Sequence, residues 1–268
     1  MNTGAVESEI AESPAVVLPP HRRVTLSPLR RRSGEHMAAS AALIPHAAIT
    51  VEADFSAVVA AIGLHRERWR TEYGLSLGPL PFLLHAAVDA LRTFPEANAM
   101  LDGRELVVFD EVHLGVAVDV PSRGLVVPVV RNADTKSVAE LAWAVADLAG
   151  RARSKSLRPD DVVGATYTVT NVGPFGVYAS SPIVNHPQVA ILAMNAVSPR
   201  PVVVDAATGE LAVRPIGLLT QAFDHRAFDG AYCASMLRHL ATTLADTSWT
   251  DLVGAPPPAS PRTHQEES

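Results

Sequence analysis

The run Asp224-His225-Arg226-Ala227-Phe228-Asp229-Gly230 offers the most chemistry in this chain. It follows a β-like stretch, Gly217–Phe223, and opens a helix-patterned one. A histidine at a strand end, beside a turn, can project into a cleft while the sheet holds its backbone. Imidazole titrates near neutral pH, so His225 is suited to take a proton from a thiol or a hydroxyl. Asp229 stands at the next helix start, where a carboxylate can cap free N–H groups. It could equally hold an arginine and steady the histidine loop. The chain has ten histidines, however, and a lone histidine near a strand end is usually structural or simply exposed. By itself the run supplies a candidate general base and no reaction.

Elements on either side must position it. Pro81–Phe94 is apolar nearly all round and reads as a buried helix. Ser137–Arg153 places Val138, Leu141, Ala142, Val145, Leu148 and Ala149 at amphipathic spacing, with Arg151 and Arg153 at the negative end of the helix dipole. Ala231–Ala245 aligns Cys233, Met236, Leu237, Leu240 and Leu244. Strands are expected at 48–51, 106–109, 112–118, 125–130, 166–171, 189–194 and 217–223. Strands and helices mix without regular alternation, which points to an α/β two-layer sandwich with a mixed sheet.

Composition narrows the partners. A net charge of −6, with Arg30-Arg31-Arg32 as the one basic cluster, argues against nucleic acid. Cys233 is the sole cysteine, so an intrachain disulfide and a thiolate metal site are excluded. No histidine spacing resembles a metal site, and no metal is expected. Neither a signal peptide nor a membrane-length apolar run is visible, so a cytoplasmic protein without membrane contact is expected. Residues 1–24 and 255–268 are Pro-rich and aperiodic. They read as disordered arms around a catalytic body at 25–254.

The body resembles the catalytic domain of dihydrolipoamide acyltransferases, the core components of 2-oxoacid dehydrogenase complexes. The run at 224–230 is similar to that family's Asp-His-Arg-x-x-Asp-Gly signature, and four further segments precede it in family order. Ser27-Pro28-Leu29-Arg30-Arg31 with Ile44-Pro45-His46 resembles the opening helix and its exit. Leu80-Pro81-Phe82 through Phe94-Pro95-Glu96-Ala97-Asn98-Ala99 resembles the buried helix. Gly124–Val130 with Asn132-Ala133-Asp134 resembles a family strand. Thr166–Gly173, continuing through Ser181–Leu192, is the longest match.

The resemblance implies a chloramphenicol acetyltransferase-like fold and an acyl-CoA co-substrate, with acetyl-CoA as the expected form. It implies that His225 deprotonates the acceptor and that Thr170 donates a hydrogen bond to the tetrahedral oxyanion. Asp229 would act structurally, by pairing with Arg30 or Arg31. A homotrimer is implied, with His225 of one chain meeting Thr170 of its neighbour at each interface. His46 and His186 fall in matching segments, where structural roles are expected.

Some features depart from the family. About 24 residues precede the body, too few for a lipoyl or partner-binding domain, and no covalently bound lipoyl group is expected. The Pro-rich C-terminus suggests an isolated trimer. Ala193-Met194-Asn195 stands where the family commonly has Gly-Val-Gly, and Ser122-Arg123 lengthens the preceding loop. These departures favour a stand-alone enzyme that acetylates a hydroxyl of a small-molecule acceptor, of natural-product (tetronate) type. The alternative is a catalytic subunit of a 2-oxoacid dehydrogenase complex, served by lipoyl groups on another chain. A non-catalytic scaffold is disfavoured by the joint presence of His225, Thr170 and Asp229.

Overall fold

The computed structural model describes residues 19–121 and 124–254. Residues 1–18 of the expected arm at 1–24, the whole expected arm at 255–268, and the loop residues Ser122 and Arg123 lie outside the described residues. In chain order the elements are α1 (Pro28–Leu43), β1 (His46–Asp54), α2 (Ser56–Tyr73), α3 (Leu80–Thr93), β2 (Ala99–Asp102) and β3 (Glu105–Val108). Then come β4 (Leu114–Val116), β5 (Val118–Val120), β6 (Gly124–Val126), β7 (Val129–Val130), α4 (Val138–Ser154) and β8 (Tyr167–Asn171). The last are β9 (Ala190–Met194), β10 (Ser198–Asp205), β11 (Glu210–Asp224), α5 (Gly230–Asp246) and α6 (Trp249–Leu252).

The main sheet runs β1-β11-β9-β8-β4-β7, with β10 paired to the first half of β11. Parallel pairing is confined to β4–β8 and β8–β9, so the sheet is mixed, as the sequence pattern implied. Helices α2, α3 and α5 pack against one sheet face, where Phe55, Phe82, Leu84, Leu192, Phe223 and Leu237 share one core. The architecture is therefore α/β in two layers. Among the described residues, no helix is long and apolar enough to cross a membrane.

Local chemistry explains the helix limits. Ser137 and Glu140 form a reciprocal capping box at the start of α4, each side chain accepting from the other's backbone N–H. Helix α2 stops at Gly74, which takes a left-handed conformation with φ 65°. Helix α2 was not legible from periodicity. It buries only Val58, Ala61 and Trp69, and Gly63 lies inside it.

Two expected strands are each broken. The stretch 112–118 divides into β4 and β5, because the chain leaves the main sheet at Ala117 and pairs next with β6. The stretch 125–130 breaks before Pro128, which has no N–H to add to a ladder; its carbonyl still accepts from Val116.

Phe223 closes the core beneath the histidine turn. It is fully buried and stacks on Phe228 at 4.9 Å between centroids. Phe223→Ala is expected to lower unfolding free energy by about 3–5 kcal/mol in urea titrations. A loss below about 1 kcal/mol would contradict this packing.

Candidate active site

The turn that carries His225 is fixed from both sides. Strand β11 ends at Asp224, whose N–H donates to the Val189 carbonyl at 2.8 Å. The next N–H, from His225, donates to the Pro45 carbonyl at 3.1 Å. The Asp224 carboxylate is 2% exposed and accepts from the Arg226 backbone N–H at 2.9 Å. It also accepts from the Arg226 guanidinium, at 2.9 Å from Nε and 2.5 Å from Nη2. Burial alone would raise the Asp224 pKa, but hydrogen bonds and charge from Arg226 outweigh it and hold the carboxyl below the usual aspartate range. The His225 ring is exposed, 5.6 Å from the Phe223 ring.

Asp229 caps α5 by accepting from the Tyr232 N–H at 2.9 Å. The structure does not pair it with Arg30 or Arg31: among the described residues no ion pair joins them. Both arginines lie on α1, and the Arg30 stem passes beside Gly124 of β6. Loop fixation, expected of Asp229 with an N-terminal arginine, falls within one chain to Asp224 and Arg226. The sequence pointed to Asp224 and Arg226 only as motif letters, because a two-residue spacing in a turn does not foretell a contact.

Thr170 sits on the other sheet face. Alternation on β8 turns Tyr167 and Val169 into the core, and Thr168 and Thr170 away from it. There they line a cavity of about 330 Å³ with Met37, Val127, Ser180, Ile183 and Ile191. The 172–189 connection roofs the cavity and is pinned by three side chains. Ser40 on α1 donates to the Val184 carbonyl, and His36 bonds Asn185 at 2.9 Å. His46 bridges the Ile44 carbonyl and the Val184 N–H, which requires the proton on Nδ1. This bears out a structural role for His46. His186 lies in the same connection, beside a neighbouring groove.

Asn195, fully buried, donates to the Leu218 carbonyl and accepts from Ser180 on the roof. Gly173 lets the chain pass under it, since a Cβ there would stand 2.9 Å from the Asn195 carbonyl.

Thr170 and His225 do not meet within one chain. Thr170 pairs with Ala193, and Ala193 with Thr220, five residues before His225. Two strand spacings and five residues of rise separate them by roughly 19 Å. Among the described residues, no cluster of three or more potential metal ligands is found.

The turn presents an exposed histidine and the separate cavity presents a hydroxyl, two residue types that serve as base and oxyanion donor in acyl transfer. The sequence model for the 2-oxoacid dehydrogenase acyltransferase catalytic domain matches residues 19–250, and the chain belongs to that family. It is 37% identical over 211 residues to the dihydrolipoyllysine-residue succinyltransferase component of the Cupriavidus necator 2-oxoglutarate dehydrogenase complex, covering 79% of this chain and 50% of that one. It is 34% identical over 232 residues to the dihydrolipoyllysine-residue acetyltransferase component of the Bacillus subtilis pyruvate dehydrogenase complex, covering 85% and 51%. The chain thus spans about half the length of these relatives. A crystal structure of Azotobacter vinelandii dihydrolipoamide acetyltransferase superimposes with a TM-score of 0.80 at 33% identity, covering 86% of this chain and 97% of that one. That enzyme's mechanism was investigated at a serine, a histidine and an asparagine four positions after the histidine.

These relatives overturn the expectation of a stand-alone enzyme acetylating a small-molecule hydroxyl. They are components of dehydrogenase complexes and are named for transfer at dihydrolipoyllysine residues. The alternative reading is the one they favour.

The Asp224–Arg226 pair has a pH signature. A carboxyl held low by folding adds stability that is fully present above the ordinary aspartate range and is lost as pH falls through the lowered value. Asp224→Asn is expected to cost about 1–2 kcal/mol near neutral pH. Chemical denaturation of both proteins should show the gap narrowing between about pH 5 and pH 2. A gap that stays constant over that range would contradict the pairing.

Proposed function

We propose that this chain is the catalytic portion, residues 25–254, of a dihydrolipoyl acyltransferase that exchanges an acyl group between coenzyme A and a dihydrolipoyl thiol. Family membership at 32–37% identity, joined to the His225 turn and the Thr170 cavity, carries the reading. His225 takes the proton from the attacking thiol. The thiolate adds to the thioester carbonyl, and the oxyanion accepts a hydrogen bond from the Thr170 hydroxyl of a neighbouring copy. Collapse of the adduct breaks the original C–S bond, and the departing thiolate recovers the proton from His225. The step is reversible, so the same two groups serve transfer to and from coenzyme A.

Asp229 stands four positions after His225, the spacing of the histidine and asparagine in the Azotobacter enzyme. Its proposed role is to cap α5 and so hold the far end of the turn. The roughly 19 Å between Thr170 and His225 calls for an interface that repeats around a closed ring. A homotrimer with three shared sites is the proposed arrangement, with the lipoyl group carried outside residues 25–254.

The test is transfer from acetyl-CoA to dihydrolipoamide. His225→Ala is expected to lower kcat by about 10²–10⁴-fold. Thr170→Ala is expected to lower it by about 10²–10³-fold, with Thr170→Ser close to the parent enzyme. Unchanged turnover in either alanine variant would remove that residue from the mechanism, and a monomer in native mass measurement would contradict the shared site.

A further inference from the structure

Building on the acyl-transfer reading, we infer that the acyl group taken by this site is short, aliphatic and uncharged, and that dicarboxylic acyl groups of succinyl type are rejected. Overall identity does not decide the matter, since succinyltransferase and acetyltransferase relatives stand at 37% and 34%. The cavity at Thr170 does. An acyl carbonyl bonded to Thr170 places its chain among Met37, Val127, Pro182, Ile183 and Ile191. None of the described residues lining this cavity carries a charge.

Most polar groups of the cavity are already committed. The Thr168 hydroxyl donates to Gln188 Oε1 at 2.6 Å and accepts from Asn185 Nδ2 at 3.4 Å. The Ser180 hydroxyl donates to Asn195 Oδ1 at 2.8 Å. Asn185 Oδ1 is engaged by His36 at 2.9 Å. The two hydroxyls left are Thr170, required at the oxyanion, and Ser181 at the exposed rim.

The turn that must approach from a second copy adds no free cation. Its Arg226 is held on Asp224 by both Nε and Nη2, and its His225 is taken up with the thiol proton. The free carboxylate of a succinyl group would lose water without gaining a counter-charge or a full set of donors. Methyl and branched aliphatic groups meet no such penalty, and a cavity of about 330 Å³ has room for both.

The experiment compares acetyl-CoA, isobutyryl-CoA and succinyl-CoA as donors to dihydrolipoamide, with calorimetric binding of each thioester alongside. The expected result is kcat/KM for acetyl and isobutyryl within about tenfold of each other, and succinyl lower by about 10²-fold or more. Ile183→Arg, at a position 40% exposed and tolerant of a long side chain, supplies the missing cation. It is expected to raise succinyl relative to acetyl by about tenfold or more. Succinyl-CoA used or bound as well as acetyl-CoA by the parent enzyme would overturn the inference. So would an unchanged succinyl-to-acetyl ratio in folded Ile183→Arg. Absence of transfer from all three thioesters, with acetyl-CoA still bound in preference to succinyl-CoA, would strike the proposed reaction while leaving the selectivity standing.

Discussion

Strand β11 is bonded along both edges over its final residues, to β1 from Ile216 through Asp224 and to β9 from Leu219 through Phe223. Because both neighbours hold it, its end cannot shift without breaking two ladders. The turn that follows inherits that rigidity through backbone bonds to Val189 and Pro45, which belong to the approaches of those same two neighbours. The buried Asp224 carboxylate closes the turn on Arg226, and Asp229 anchors its far end on α5. His225 is thereby exposed on a backbone that has little freedom, which suits the general-base role proposed for it.

The same ladders set the other half of the site. Register between β8, β9 and β11 fixes Thr170 far from His225, and strand alternation turns it toward the face opposite the helices. That face is closed by the 172–189 connection together with α1, with Ser40, His36 and His46 holding the roof in place. A polar framework thus stands around an apolar cavity. Its hydroxyls and amides are largely engaged with one another, leaving Thr170 as the uncommitted hydroxyl inside it and the one to which the proposed reaction assigns the oxyanion. Rigidity and selectivity have a common origin here, in side chains that satisfy each other and so offer little to a charged substrate.

Much of this was legible in the sequence, and the failures have physical causes. The apolar, Val- and Ile-containing stretches 166–171 and 189–194 marked strands because most of their residues are buried in the middle of the sheet. The histidine run stood out because a strand end, a turn and a capping aspartate coincide within a few residues. Helix α2 was hidden because its buried positions are sparse and its second half is charged. Contacts such as Ser40 with Val184, or Thr168 with Gln188, join residues that no local pattern relates. The pairing expected between Asp229 and Arg30 or Arg31 failed within the chain because α1 runs beside β6, not beside the α5 cap. The choice of acceptor also lay beyond residue patterns, and the relatives redirected it toward dihydrolipoyl thiols.

In the proposed enzyme each site is completed by two chains, His225 from one and Thr170 from another. Mixing His225→Ala chains with Thr170→Ala chains, through co-expression or refolding, tests it directly. Each parent variant is crippled, but a mixed ring contains interfaces that join an intact His225 to an intact Thr170. In an equal mixture, activity should recover to about a quarter of the wild-type value, the statistical share of such interfaces in a closed ring of identical contacts. Mixed oligomers that assemble, as verified by mass, yet show no gain over the two variants alone would contradict a site shared between chains.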